Sequence, residues 1–153
     1  MAPLADRVAS AAAVTTDPRI KVTDIEAGLG TRHTVDTLAA LRRRFPGVRF
    51  VWLMGADNLA QIRHWARWQH IFHTVPIAVF ARPSYCLKGL RDPAARRFAR
   101  RRVPPEQARY LADFAPPAWA FFPSRLDARS ATQIRSRLGA GSGRRNRDGL
   151  LMR

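Results

Sequence analysis

Residues 48–54, VRFVWLM, restrict the fold of this chain more than any other stretch. Their second half is continuously apolar, with Pro46-Gly47 before them and Gly55 directly after. A run this short reads as a strand covered on both faces, the usual situation in a parallel sheet. Parallel strands need crossover connections, so helical patterning is expected on either side.

It is found on both. From Thr34, which is placed to cap a first turn, Val35, Leu38, Leu41 and Phe45 recur at helical spacing until Pro46-Gly47. Trp65, Trp68, Ile71 and Phe72 carry the next helix, and residues 92–102 and 105–114 read as two more. Residues 76–81 and 118–122 read as strands. So do residues 20–25, where Ile20, Val22 and Ile25 are set among Lys21, Thr23 and Asp24, ahead of Gly28 and Gly30. Strands alternating with helices predict an open α/β sheet with right-handed crossovers and ligands bound beyond the carboxyl ends of the strands. The opening MAPLADRVASAAAV lacks a hydrophobic targeting core and reads as a short amphipathic helix, with a cytoplasmic location as the default. Residues 1–138 are expected to form one domain. Residues 139–153, rich in Gly, Ser and Arg, are expected to form a flexible basic tail.

Composition narrows the function classes. No apolar stretch approaches the roughly 20 residues of a membrane helix, and one cysteine, Cys86, excludes an internal disulfide framework. The net charge of +16 points to polyanions. Yet 25 of the 27 basic residues are arginine, only Lys21 and Lys88 being lysine, and they lie scattered in a way that codon bias produces as readily as phosphate binding. Solvated basic faces are the preferred reading, and nucleic acid is not an expected partner.

Three segments fall where this architecture places a ligand: TRHTVDTL at 31–38, MGADNLAQIRHWARW at 54–68 and RSATQIRSRL at 129–138. Ser130 with Gln133 forms a capping box, which needs no function; equally, the amides there, Thr132 and Arg135 suit a phosphate at a helix start. Gly55 allows close backbone approach, and Asp57 can cap a helix or accept from ribose hydroxyls. Trp65 and Trp68, three apart on one helix, read first as core; Trp65 alternatively offers a stacking platform for a flat heteroaromatic ring. His70 and His73 are spaced one turn apart, but no carboxylate completes a metal site beside them. Walker loops, G-x-S-x-G elbows and paired cysteines do not occur.

Taken in order, the T-x-x-T-L helix start, the strand ending in M-G-x-D-x-L with tryptophan beyond it, Arg82-Pro83, and the S-x-T-x-I-R of residues 130–135 resemble the nicotinate-nucleotide adenylyltransferase family from about residue 3 to residue 138. The resemblance implies a Rossmann-like nucleotidyltransferase with an open parallel sheet. It implies transfer of AMP from ATP to nicotinate mononucleotide with Mg²⁺ assisting, giving deamido-NAD and pyrophosphate in NAD biosynthesis. It also implies that Thr34 and the following backbone, Gly55, Asp57 and Trp65 hold the mononucleotide, and that Ser130, Thr132 and Arg135 contact ATP phosphates. One departure is Arg129-Ser130-Ala131, where the family more often has an apolar residue and a second small polar one, which bears on phosphate geometry.

The larger departure is the family's G-x-F-x-P-x-H-x-G-H element. No glycine precedes Gly28 and no histidine precedes His33, so the chain is expected to lack the first βα unit and the catalytic histidines. Losing a central strand exposes apolar edges, so poor stability and little activity are expected of this chain alone. The alternative is a non-catalytic fragment that binds a pyridine nucleotide or a partner. Homo-oligomerisation stays open, as does preference between nicotinate and nicotinamide mononucleotide.

Overall fold

The computed structural model describes residues 3–82 and 86–123, those at 86–88 by backbone alone. The expected final helix from Ser130, the tail, and Pro83 lie outside the described residues. Helix α1 (Leu4–Val14) buries none of its residues. Thr15 ends it, its hydroxyl donating to the Ala11 carbonyl at 2.8 Å. The chain then turns at Asp17, whose carboxylate accepts from the Arg19 amide at 2.9 Å and from the Arg19 guanidinium. That guanidinium holds the exposed Asp17 carboxyl below the usual carboxylate range.

Residues 20–25 form no strand, contrary to the expectation from their β-branched content. Ile20 is 60% exposed, and the segment runs into a turn and a 3₁₀ helix at Ala27–Leu29. Among the described residues no strand lies beside it, and β propensity without a partner does not hold a ladder.

Helix α2 (Thr34–Arg44) forms as the spacing predicts, burying Val35 and Leu38. Its N-cap is His33, in extended backbone and without a side-chain capping bond, so Thr34 is the first helical residue rather than the cap. Strand β1 (Trp52–Gly55) is followed by helix α3 (Ala56–Leu59), a 3₁₀ turn at Ile62–His64, and helix α4 (Trp68–Thr74). Strand β2 (Ile77–Phe80) then leads through helix α5 (Cys86–Arg91), helix α6 (Pro93–Arg97) and 3₁₀ segments at Ala99–Arg101 and Pro105–Asp113 to strand β3 (Trp119–Phe122). Asp92 starts α6 by accepting from the Ala94 amide at 2.9 Å, which satisfies a carboxylate that is only 9% exposed. The expected helix at 105–114 is 3₁₀ instead of α.

The three strands form one parallel sheet in the order β1-β2-β3, with Trp52, Ile77 and Trp119 in register. Side chains alternate between its faces. Met54, Ile77, Val79 and Trp119 pack with Val35, Leu38, Leu59, Ile71 and Phe72 into the main core. On the other face Ala78 and Ala120 meet Val103, Ala108 and Leu111 of the 3₁₀ layer. That layer lies over β3 and leaves β1 open: Leu53 is 62% exposed and Phe80 38%. Burial on both faces, expected of residues 48–54, therefore fails at β1, because among the described residues no layer covers the face on which Leu53 lies.

The main core is tied at its centre by aromatic contacts. Phe72 and Phe98 stack with ring centroids 4.2 Å apart, and the Trp119 indole donates to the Phe98 carbonyl at 2.8 Å. Phe72→Ala is expected to lower unfolding free energy by about 3–5 kcal/mol through the cavity it leaves. Trp119→Phe retains most of the apolar area and removes one of two hydrogen bonds to the Phe98 carbonyl, the Arg101 amide still donating at 2.9 Å, so a loss of about 0.5–1.5 kcal/mol is expected. Urea midpoints at constant slope would check both.

Candidate functional site

The carboxyl ends of β1 and β2 lie side by side because Gly55 pairs with Phe80. Gly55 is both the last residue of β1 and the N-cap of α3, so the strand turns directly into a helix. Asp57 is the second residue of α3 and caps nothing with its side chain. Its Oδ1 is buried without a hydrogen-bond partner among the described residues, although the side chain as a whole is 38% exposed. Arg82, beyond the end of β2, brings Nε to 3.9 Å from that oxygen. One carboxylate oxygen is thus shielded beside a cation while the rest faces the open end of the sheet.

Glycine is required at position 55 for space. A Cβ there would land on Asp57 Oδ1 and lie 3.0 Å from Arg82 Nε. The backbone of β1 and the carboxylate can approach this closely only without it.

A second feature is a cleft of about 550 Å³ lined by Arg32, His33, Thr34, His64, Trp65, Ala66 and Ile71. Thr34 opens α2, so the cleft meets a helix start whose first amides have no partner within the helix. Trp65 follows the Ile62–His64 turn in extended backbone, and Trp68 begins α4. The two tryptophans therefore belong to different local structures, not to one helix as their spacing predicts. Trp68 meets Phe72 and Phe98 edge-on at 6.2 and 6.1 Å. Trp65 is half-buried, its ring 5.7 Å from that of Trp52 and part of the cleft lining. Both rings touch the core, but only Trp65 lines the cleft.

Among the described residues no Asp or Glu lines this cleft, whereas Arg32, His33 and His64 do. Arg63 Nε donates to His64 Nε2 at 3.1 Å. Arg32 and His33 also border an adjoining cavity of about 330 Å³ that reaches Glu26 and Trp52. Among the described residues no cluster of three or more His, Cys, Asp or Glu is placed to hold a metal, and His70 and His73 gain no third partner.

Thr34 and Trp65 thus meet across one cleft, and Gly55 and Asp57 meet at the sheet end. Ser130, Thr132 and Arg135 lie outside the described residues. Sequence reasoning passed over five residues here. Arg82 was visible only as part of Arg82-Pro83, and the ion pair of Arg67 with Asp36, at 2.7 Å, had no local signal. His33 and His64 were visible as residue types but not as neighbours.

A parallel α/β sheet with a shielded carboxylate at its carboxyl end, and a tryptophan-lined cleft beside α2, is the arrangement of a nucleotide-binding domain. Residues 1–137 match the family model described as cytidylyltransferase-like. A Cereibacter sphaeroides protein named "Probable nicotinate-nucleotide adenylyltransferase" is 56% identical over 135 residues, covering 88% of this chain and 71% of its own. Proteins of the same name from Parvibaculum lavamentivorans and Ruegeria pomeroyi are 53% identical over 139 residues and 47% over 146. They cover 91% and 95% of this chain and 69% and 68% of their own. The chain belongs to the nicotinate-nucleotide adenylyltransferase family.

Substituting Gly55→Ala should overpack the Asp57 and Arg82 side chains and cost about 1–3 kcal/mol. Gly47→Ala, which meets open space, should stay within about 0.5 kcal/mol of the parent. Thermal unfolding of the two variants side by side reads the difference.

Proposed function

We propose that this chain binds nicotinate mononucleotide in the Thr34 and Trp65 cleft and acts in adenylyl transfer from ATP. The observation that carries this reading is the cleft itself: a helix start and a tryptophan line one space, with no carboxylate among the described residues that border it. A flat pyridine ring stacks on Trp65, while Thr34 and the following amides meet its carboxylate, which the positive end of α2 favours. Gly55 lets the nucleotide approach the backbone of β1, and the shielded Asp57 oxygen accepts from its hydroxyls. Ser130, Thr132 and Arg135, outside the described residues, are assigned to the ATP phosphates, which hydroxyls and a guanidinium suit as donors.

In this reaction a 5′-phosphate oxygen of the mononucleotide attacks the α-phosphorus of ATP. The bond to the bridging oxygen breaks, pyrophosphate leaves, and deamido-NAD forms. The chain's own part is to orient the acceptor and neutralise charge. The described residues offer no carboxylate cage, so Mg²⁺ would arrive on the ATP phosphates. No helix among the described residues is long and apolar enough to cross a membrane, and the reading places the reaction in the cytoplasm. The open face of β1 at Leu53 supports a second reading, in which a partner completes the sheet and the chain contributes binding without turnover.

Incubating the purified chain with ATP, Mg²⁺ and nicotinate mononucleotide and separating the products tests both. Deamido-NAD and pyrophosphate support transfer, binding without product supports the second reading, and no binding removes both. Trp65→Ala is expected to weaken mononucleotide binding about 10- to 100-fold, the equivalent of roughly 1–3 kcal/mol of stacking, in a calorimetric titration. Trp68→Ala should instead lower the melting temperature.

A further inference from the structure

The two walls of the cleft are joined by one ion pair. Asp36 lies in the first turn of α2, two residues after Thr34, and Arg67 lies two residues after Trp65. Arg67 Nη2 donates to both Asp36 oxygens at 2.7 Å.

We propose that Asp36 and Arg67 are a positioning pair that holds the turn carrying Trp65 against the start of α2 and so sets the width of the cleft. The proposal rests on the reading of that cleft as the mononucleotide site.

Three observations carry it. First, the pair is exposed, Arg67 at 56% and Asp36 at 39%, and exposed pairs add little to global stability. An acid in the first turn suits the helix dipole wherever it points, but that does not explain why an arginine reaches it. Second, Arg67 is the only non-glycine residue at positive φ among those described, at φ 48° and ψ 40°. A long side chain with a Cβ is disfavoured in that region, where glycine is at ease, so something other than backbone preference keeps arginine there. Third, both ends of the turn are already anchored. Ile62 before it is fully buried, and Trp68 after it packs on Phe72 and Phe98. Between these anchors Trp65 leans on the Trp52 ring, and the ion pair is the polar contact that ties Arg67 across to α2.

The test uses Asp36→Asn, Arg67→Gly and Arg67→Lys in the full chain. Three readouts apply: nicotinate mononucleotide titration, melting temperature, and amide hydrogen exchange of residues 63–68. Arg67→Gly is decisive because it relieves the backbone while removing the pair. For Asp36→Asn and Arg67→Gly the expected result is affinity about three- to fivefold weaker with melting temperature within about 2 °C of the parent, together with faster exchange across 63–68. Arg67→Lys should keep most of the affinity, since a single nitrogen makes both contacts. Unchanged affinity and exchange in both Asp36→Asn and Arg67→Gly would overturn the proposal. So would Arg67→Lys behaving like Arg67→Gly. If the parent chain fails to bind the mononucleotide, the functional reading falls. Exchange then still decides the pair: unchanged rates overturn it and faster rates support it.

Discussion

Strand β2 is paired on both sides, and the arrangement of everything else follows from that. Ile77, Ala78 and Val79 are at most 3% exposed, with β1 along one edge and β3 along the other. A parallel strand in this position must be reached and left by crossovers, so α3 and α4 lie before it and α5 and α6 after it. The same pairing brings Gly55 level with Phe80, which is why Asp57 and Arg82 meet although they follow different strands. The sheet end is a consequence of register before it is a binding site.

Much of this order was legible in the residues, and the exceptions share a cause. Helix α2 and strands β2 and β3 appear close to where apolar spacing puts them, because each buries a face that the pattern marks. Residues 20–25 carry an equally good strand pattern, but pattern reports a face and not a partner, and the described residues hold none for it. Val48, Phe50, Val51 and Leu53 are apolar in the same way, and their exposure depends on what covers β1, which no local reading contains. At the site, Gly55, Asp57 and Trp65 were recognisable as residue types at suggestive places. Arg67 was not, because a left-handed arginine leaves no trace in spacing.

The charge of +16 looked like the dominant property of this sequence, and the structure disperses it. Arg42 donates to the Thr74 carbonyl at 2.9 Å, tying the end of α2 to the end of α4. Arg49 pairs with Asp113, and Arg102 lies over the rings of Trp119 and Phe121 at 5.4 and 5.6 Å. These arginines cover apolar edges and fasten segments together, as guanidinium groups with long stems do. Among the described residues these arginines are engaged separately, whereas Arg32, His33 and His64 gather at one cleft. Local placement therefore says more about ligand charge than the total does.

The cleft is assembled from the less regular parts of the molecule. Its walls are a helix start without a side-chain cap and a 3₁₀ turn, with the left-handed Arg67 just beyond, while the continuous helices and the sheet stand behind them. Backbone amides at such a start are free to meet a ligand because no cap occupies them. His33 at the N-cap leaves them so, where serine or aspartate would have satisfied one internally. The same local choice that weakens α2 as a helix makes its first turn available to an anion. Elements with so few interactions of their own take their geometry from contacts across the cleft, and that is where the bond from Arg67 to Asp36 lies.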